Sequence, residues 1–420
     1  MSVKFTVPRG TNDVLPKDSF KWEYTESVFR KVAKSYGYSE IITPIFEHVE
    51  VFDRSADDTT DIVQKEMYRF QDKKGRVFAL RPEGTAPVIR SYIENNMGAD
   101  GNITKLFYIG HMFRYDRPQA GRSRQFSQYG LECIGSAHPY YDAETIAVFY
   151  TYLKELGLKN FVVEINSIGC SDCSVVYNNA LQVYFKDNLS KMCPDCVNRY
   201  DKNPKRLLDC KVETCKQLSK NAPSMLDYLD EKCQNHFKSV QDNLKLLNIP
   251  FVVNPKIVRG LDYYTQTAFE FINANLGSQN ALGGGGRYDG LINQMGGKPT
   301  PAIGFAGGFS RLLISLEQEN LYAGESASPL YYITTFGDLP SQKGIEVLNY
   351  LRNNGIYAEF DMEKTSMKSQ MKSADRYKAK YTIIIGEDEL AANNIAIKNM
   401  TDGVQTVLSL DKLSELLCPK

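Results

Sequence analysis

The stretch Phe113-Arg114-Tyr115-Asp116-Arg117-Pro118-Gln119-Ala120-Gly121-Arg122-Ser123-Arg124-Gln125-Phe126 decides the fold. It separates two runs rich in β-formers, Leu106-Phe107-Tyr108-Ile109 and Gln125-Phe126-Ser127-Gln128-Tyr129, with a polar loop rather than a crossover helix. Further strand-like runs at 40–43, 77–80 and 161–165 are likewise set apart by turns or long polar loops. An α+β domain on a largely antiparallel sheet is therefore expected, not a doubly wound parallel one.

Upstream, residues 19–36 read as an amphipathic helix, with Phe20, Tyr24, Val28, Val32 and Tyr36 near helical spacing and Gly37 where a C-cap would sit. Downstream, composition shifts. Seven of the nine cysteines lie between Cys170 and Cys233, among lysines and asparagines with little strand pattern, which points to a mostly helical insertion. Strand-like sequence returns at 251–253 and 268–271, followed by the glycine run Gly283–Gly286 and a helix expected from Phe309 to about Asn320. Residues 323–329 read as a linker. Beyond it, strand-like YYITTF, a helix over 341–353, YAEF, a helix over 366–377 and YTIII alternate, an α/β pattern distinct from the first part.

At 420 residues the chain is too long for one ordinary core. A hydrophobic share of 42% and a charged share of 24% are globular values. Basic and acidic residues number 50 each, which argues against a polycation coating nucleic acid and leaves only local basic patches. The start MSVKFTVPRGTNDVLP has no apolar core of a signal sequence, and no run approaches 18 apolar residues, so a cytoplasmic protein without a membrane span is expected.

Four arginines fall within the eleven residues from Arg114 to Arg124. The guanidinium fork suits phosphate oxygens, so this loop could grip a nucleotide or a polynucleotide end; a solvated loop pairing with nearby acids is the plainer reading. Leu80-Arg81-Pro82-Glu83-Gly84-Thr85 ends a strand with a carboxylate and a hydroxyl, which could hold an ammonium or cap the next helix. Gly283-Gly284-Gly285-Gly286-Arg287-Tyr288-Asp289-Gly290 fits neither the P-loop nor the dinucleotide fingerprint. Any nucleotide must then rely on arginines more than on a glycine cradle.

Together these segments resemble the histidyl-tRNA synthetase family of class II aminoacyl-tRNA synthetases over nearly the whole chain. The opening Pro8-Arg9-Gly10-Thr11-Asn12-Asp13 is one family mark. Tyr38 to Phe46, with Pro44, looks like motif 1, Phe113 through Glu132 like motif 2, and Gly304 to Arg311 like motif 3. Arg259-Gly260-Leu261-Asp262-Tyr263-Tyr264 and Gly285-Gly286-Arg287-Tyr288-Asp289-Gly290-Leu291 match the two stretches that mark histidyl enzymes. The likeness departs at Ser310, where motif 3 usually has an acidic residue before its arginine; Arg311 itself is retained.

The resemblance implies a homodimeric histidine–tRNA ligase, with a catalytic core over 1–165 and 256–322, an insertion over 166–255 and an anticodon-binding domain over 329–420. It implies that L-histidine is activated with ATP and Mg2+ and then passed to the terminal adenosine of tRNA(His). Arg114, Arg259 and Arg311 take the catalytic roles, with Arg114, Arg122 and Arg311 on ATP. Glu83, Gly84, Thr85, Arg114, Gln128, Glu132, Arg259, Tyr263 and Tyr264 are implied for histidine, Glu83 and Thr85 at its ammonium. Arg117 and Gln119 would reach ATP or the acceptor end of tRNA. The alternative within the same likeness is the synthetase-like regulatory subunit of ATP phosphoribosyltransferase, which usually lacks the anticodon domain and parts of the catalytic set.

Cys170-x2-Cys173 and Cys193-x2-Cys196 fit zinc-ribbon arithmetic. The helix expected over 174–188 would hold them apart, which leaves Cys193, Cys196, Cys210 and Cys215 as the better tetrad and Cys233 as a spare. Many histidyl enzymes lack these cysteines. Reduced, buried thiols are the favoured reading, structural zinc the other, and no metal ligand is assigned. In the C-terminal segment Lys368, Lys372 and Arg376 recur every four residues, a basic stripe suited either to solvent or to tRNA phosphates.

Overall fold

The computed structural model describes residues 5–53, 62–119, 121–208, 210, 212–257, 263–321 and 327–417. The chain divides into two compact units, Met1–Glu325 and Ser326–Lys420.

The first unit opens with α1 (Pro16–Ser35), then β1 (Ser39–Glu40), β2 (Phe46–His48), β3 (Arg69–Gln71), β4 (Val77–Leu80) and α2 (Thr85–Glu94). The long strands β5 (Thr104–Phe113) and β6 (Gln125–Ile134) follow, then α3 (Pro139–Glu155) and β7 (Val162–Ser167). Short helices α4 (Ser171–Phe185), α5 (Pro194–Tyr200) and α6 (Glu213–Ser219) carry most of the insertion, and α7 (Glu231–Leu246) leads back to β8 (Val252–Val253). Then come β9 (Thr265–Ile272), β10 (Ala281–Arg287), α8 (Leu291–Gln294), β11 (Ala302–Gly308) and α9 (Phe309–Gln318).

Among the described residues, eight strands form one sheet in the order β1-β5-β6-β11-β10-β9-β7-β8. Only the edge pairs β1·β5 and β7·β8 are parallel. The six strands between run antiparallel, as the loop between β5 and β6 led one to expect. A smaller antiparallel sheet, β2-β4-β3, flanks it.

One face of the large sheet is covered by α1, α3, α7 and α9, through a core that includes Phe29, Phe107, Phe149, Phe237, Phe271, Phe305 and Phe309. Burying such aromatic area is what holds helix to sheet. The apolar stripe expected on α1 is rotated from the real one: its buried residues are Thr25, Phe29, Val32 and Ala33, while Tyr24 is 36% exposed. A strict four-residue repeat drifts off a helix that turns every 3.6 residues. Phe237, Val240 and Leu244 of α7 sit in this main core, whereas Tyr177, Leu181 and Phe185 of α4 belong to a separate cysteine-lined cluster.

The glycine run is a strand, β10, deep in the sheet. It pairs with β11 as Gly283↔Gly307, Gly284↔Ala306, Gly285↔Phe305 and Gly286↔Gly304. A Cβ at Gly285 would collide with the Gly304 carbonyl and Phe305 Cα, so the close strand approach demands glycine there.

The second unit contains β12 (Tyr331–Thr335), α10 (Asp338–Asn353), β13 (Ala358–Phe360), α11 (Met367–Arg376), β14 (Tyr381–Ile385), α12 (Glu387–Ala391), β15 (Asn394–Asn399) and β16 (Gln405–Ser409). Its sheet order is β13-β12-β14-β15-β16, parallel through the first three and antiparallel after. The α/β alternation read from the sequence is this βαβ crossover pattern.

Candidate active site

A cavity of about 400 Å³ opens on the large sheet. Its glycine floor is Gly283 and Gly284 of β10 with Gly307 and Gly308 of β11. A Cβ at Gly283 would meet Phe149 and one at Gly307 the Tyr129 ring, whereas Gly308 has open space beside it, leaving backbone there that a flat ring can approach closely. The walls come from the start of α2, the β5–β6 loop, the end of the loop before β9 and the first turn of α9.

Three guanidinium groups share one end. Arg114 lies over the Phe126 ring at 5.2 Å and donates through Nε to the Pro82 carbonyl at 2.8 Å. Arg122 is ion-paired with Asp116, with Glu66 farther off at 3.7 Å. Arg311, from the first turn of α9, donates to the carbonyls of Ala281 at 3.0 Å and Gly121 at 3.4 Å. Burial draws the Arg311 guanidinium below its ordinary pKa, and the charges of Arg122 and Arg114 add to that against the Glu270 carboxylate. An arginine remains cationic through such a shift, so the end is a crowd of like charges suited to a polyanion. Ser310 also lines the cavity.

Polar and acidic groups line the same cavity, and Glu83 is near enough for its charge to act on Arg114. Both carboxylate oxygens of Glu83 accept backbone N–H groups of the α2 first turn, Thr85 at 2.5 Å and Ala86 at 2.9 Å. The capping reading of Glu83 therefore holds, and its carboxylate still lines the cavity. Gly84 between them has its Cα against the Tyr108 ring, leaving no space for a Cβ. Tyr263 and Tyr264 face the cavity with ring centroids 4.8 Å apart. Gln128 lines it as well, and its Oε1 is buried with no hydrogen-bond partner. A buried acceptor left open in this way costs stability unless a donor arrives.

Glu132 stands one layer beneath the cavity wall. It is fully buried, accepts a hydrogen bond from Thr85 Oγ1 at 2.7 Å, and is bound by the Tyr288 hydroxyl. Burial pushes its carboxyl up to about 8, with Glu83 adding to the push and the Tyr288 and Thr85 hydroxyls opposing it. It thus reaches the cavity through Thr85, which does line it. Tyr288 is the partner that sequence reasoning missed, although it sits inside the quoted glycine run. Glu270, another residue not anticipated, comes from β9 onto the wall near Arg311.

Arg117 and Gln119 are exposed on the β5–β6 loop and are not among the residues lining the cavity. Arg259 lies outside the described residues. Lys368, Lys372 and Arg376 are exposed on α11, whose buried face is Gln370, Ser373 and Ala374.

A family model described as histidyl-tRNA synthetase matches residues 10–177 and 203–312, which carry every described wall of this cavity. The chain belongs to the histidyl-tRNA synthetase family. A model described as an anticodon binding domain matches residues 338–418. The histidine–tRNA ligase of Halothermothrix orenii is 49% identical, covering 99% of this chain and 99% of its own length. That of Pelotomaculum thermopropionicum is 46% identical, covering 99% and 98% respectively. Among solved structures, the apo histidyl-tRNA synthetase of S. aureus superposes with a TM-score of 0.84 at 40% identity, covering 99% of this chain and 100% of that one.

Within this family fold the second histidyl stretch is largely scaffold. Arg287 is fully buried and donates to Asp142 at 2.7 to 3.0 Å, to Asp289 at 3.1 Å and to the Ser136 carbonyl. His236 of α7 meets the same Asp142 at 3.1 Å. No described helix is long and apolar enough to cross a membrane.

The expected cysteine tetrad assembles: Cys193, Cys196, Cys210 and Cys215 bring their sulfurs within 4.8 Å of one another. Cys233 is not its spare. It joins Cys170, Cys173 and Asp230 in a second set, because α7 starts at Asp230 beside the start of α4.

Proposed function

We propose that the chain is a histidine–tRNA ligase, an aminoacyl-tRNA ligase acting in two steps at this cavity. The observation that carries the reading is full-length similarity at 46% and 49% identity to histidine–tRNA ligases. The cavity supports it, with three guanidinium groups and a set of carboxylate, amide and phenol groups on one lining. The regulatory-subunit alternative is not favoured, since the ligase relatives match 99% of the chain, including its C-terminal unit.

In the first step a carboxylate oxygen of histidine attacks the α-phosphorus of ATP, and the bond to the β-phosphate oxygen breaks to release pyrophosphate. Negative charge grows on the α-phosphate, where fixed cations lower the barrier most. Arg114 takes the α-phosphate, Arg122 and Arg311 the rest of ATP, and Arg259 the carboxylate and phosphate. Magnesium would accompany the ATP phosphates, and Glu270 is the wall carboxylate that could share it. Glu83 and Thr85 hold the ammonium of histidine. Gln128, Tyr263 and Tyr264 meet the imidazole, whose N–H supplies the donor that Gln128 Oε1 lacks, and Glu132 fixes Thr85 in place. In the second step a hydroxyl of the terminal adenosine of tRNA attacks the acyl carbon and AMP leaves.

Arg117 and Gln119, exposed on the β5–β6 loop, take the acceptor end of tRNA in this reading, and the exposed Lys368, Lys372 and Arg376 the anticodon region. The exposed Ile42, Ile45 and Phe46 of motif 1, with Phe70 against Phe46, suit the face of a homodimer. Cytoplasmic location follows from a role in protein synthesis. The test is ATP–pyrophosphate exchange with each of the twenty amino acids in turn, followed by tRNA charging. Histidine alone should support exchange; exchange with another amino acid, or with none, overturns the reading.

A further inference from the structure

The insertion has a small core of its own, built on Tyr177, Leu181, Phe185, Leu207, Met225 and cysteines. Its helices α5 and α6 are seven residues each. Helices that short do not persist without tertiary support, and cores of this size commonly need a cross-link or a metal.

The four sulfurs that could supply one lie where those helices begin. Cys193 is the N-cap of α5 and Cys196 is in its first turn; Cys215 is in the first turn of α6, and Cys210 precedes it in the loop. Cys196, Cys210 and Cys215 are buried and Cys193 half-buried, and all are free thiols. Cys193 Sγ and Cys210 Sγ are 3.7 Å apart. Zinc–sulfur bonds of ~2.3 Å in a tetrahedron put neighbouring sulfurs ~3.8 Å apart. The Cys193 N–H also donates to Cys215 Sγ at 3.2 Å, which holds the start of α6 against the start of α5.

We propose that Cys193, Cys196, Cys210 and Cys215 bind one structural zinc ion that ties α5 to α6. The site has four protein ligands and no open position, so its role is to fold the insertion rather than to assist the ligase chemistry. The set Cys170, Cys173, Asp230 and Cys233 serves as the comparison: Asp230 Oδ1 caps α7 by accepting the Cys233 N–H at 2.7 Å, and its Oδ2 accepts from Cys170 Sγ at 3.3 Å.

The test is metal analysis of the full-length chain purified under reducing conditions, as isolated and after zinc addition and desalting. At least one zinc per chain should be retained. Changing Cys196 and Cys210 together to Ser should remove one equivalent, while Cys170→Ser with Cys173→Ser should leave it. Cobalt(II) reconstitution adds a reading that does not depend on losing the metal: the wild type should show tetrahedral thiolate–cobalt bands, and Cys210→His should keep a tetrahedral spectrum shifted toward three sulfurs and one nitrogen. Retention of no zinc, loss of zinc only in the Cys170 and Cys173 variant, or an unshifted cobalt spectrum in Cys210→His would each overturn the proposal.

Discussion

Gly304 of β11 lies directly opposite Glu132 of β6 in the antiparallel ladder, and a Cβ at Gly304 would run into the Glu132 carboxylate. The same Cβ would meet the Leu131 carbonyl. On the far side Gly304 pairs with Gly286, where a Cβ would meet the Thr267 carbonyl and Tyr264, so within this row it is Gly304 that makes space for the buried acid. Gly304→Ala should therefore displace Glu132 from Thr85 and Tyr288. We expect a loss of about 1–3 kcal/mol in stability and a raised KM for histidine. Urea unfolding and pyrophosphate exchange check this; wild-type values in both would show that the row tolerates a methyl group.

The raised pKa of Glu132 makes stability depend on pH in a definite direction. Its carboxyl titrates near 4.5 when unexposed to these surroundings and is pushed up to about 8 in the fold. Between those values the folded chain holds a proton that the unfolded chain has released. Stability from this group is thus complete below about 4.5 and is lost as pH rises through about 8, by on the order of several kcal/mol at most. Glu132→Gln removes the titration. In ligand-free protein, melting temperatures of the variant relative to wild type should climb as pH goes from 5 to 9. Parallel curves would mean that Glu132 ionises in the fold as it does outside it.

Asp142 and Arg287 test whether the glycine-rich signature is scaffold or chemistry. Burial alone would raise the Asp142 carboxyl, but hydrogen bonds from His236 and the charge of Arg287 hold it below its ordinary value. Removing one partner of a buried pair strands the other charge, at a cost of about 3–5 kcal/mol. Asp142→Asn should lose stability on that scale while the folded enzyme keeps KM values near wild type. The single tryptophan, Trp22, packs against Phe309 at 5.7 Å and reports this unit by fluorescence. Lost activation with unchanged stability would move the pair into the mechanism.

What the sequence made legible, and what it hid, divides along physical lines. The β5–β6 loop announced an antiparallel sheet because its polar length left a turn as the natural connection. Family motifs brought Glu83, Thr85, Arg114, Arg122, Gln128, Tyr263, Tyr264 and Arg311 to one cavity. The strand β10 was invisible, since glycine has no β-propensity and its placement follows from strand packing with β9 and β11. Tyr288 was missed and Cys233 misread for a related reason: their partners, Glu132 and Cys170, are distant in sequence and only the fold joins them.

The basic stripe on α11 is a question of salt. Each lysine or arginine that neutralises a phosphate of single-stranded RNA contributes roughly 0.7 to the slope of log binding against log salt. Changing Lys368, Lys372 and Arg376 together to Gln should flatten that slope for tRNA by roughly 2. Histidine activation should stay as it was, because these residues belong to the second compact unit. An unchanged slope would return the stripe to solvent.

The nucleotide and amino-acid roles proposed for the cavity should separate kinetically. Arg311 lies within the field of Arg114 and Arg122, and Gln128 lines the same cavity. A hydrogen bond to a charged group is worth about 1.5–3 kcal/mol, so Arg311→Gln should raise the KM for ATP roughly 10-fold or more. Gln128 Oε1 has no protein partner to lose. Gln128→Leu should therefore leave the fold as stable as before, or slightly more so, since it removes an unsatisfied buried acceptor. Its effect should fall on histidine alone, whose imidazole N–H would lose the acceptor, for a KM increase of roughly 10-fold. Pyrophosphate exchange with one substrate varied and the other saturating distinguishes the two variants. If each raises both constants alike, the cavity is not divided between nucleotide and amino acid in this way; if Gln128→Leu changes stability but neither constant, that glutamine is part of the wall and not a reader of histidine.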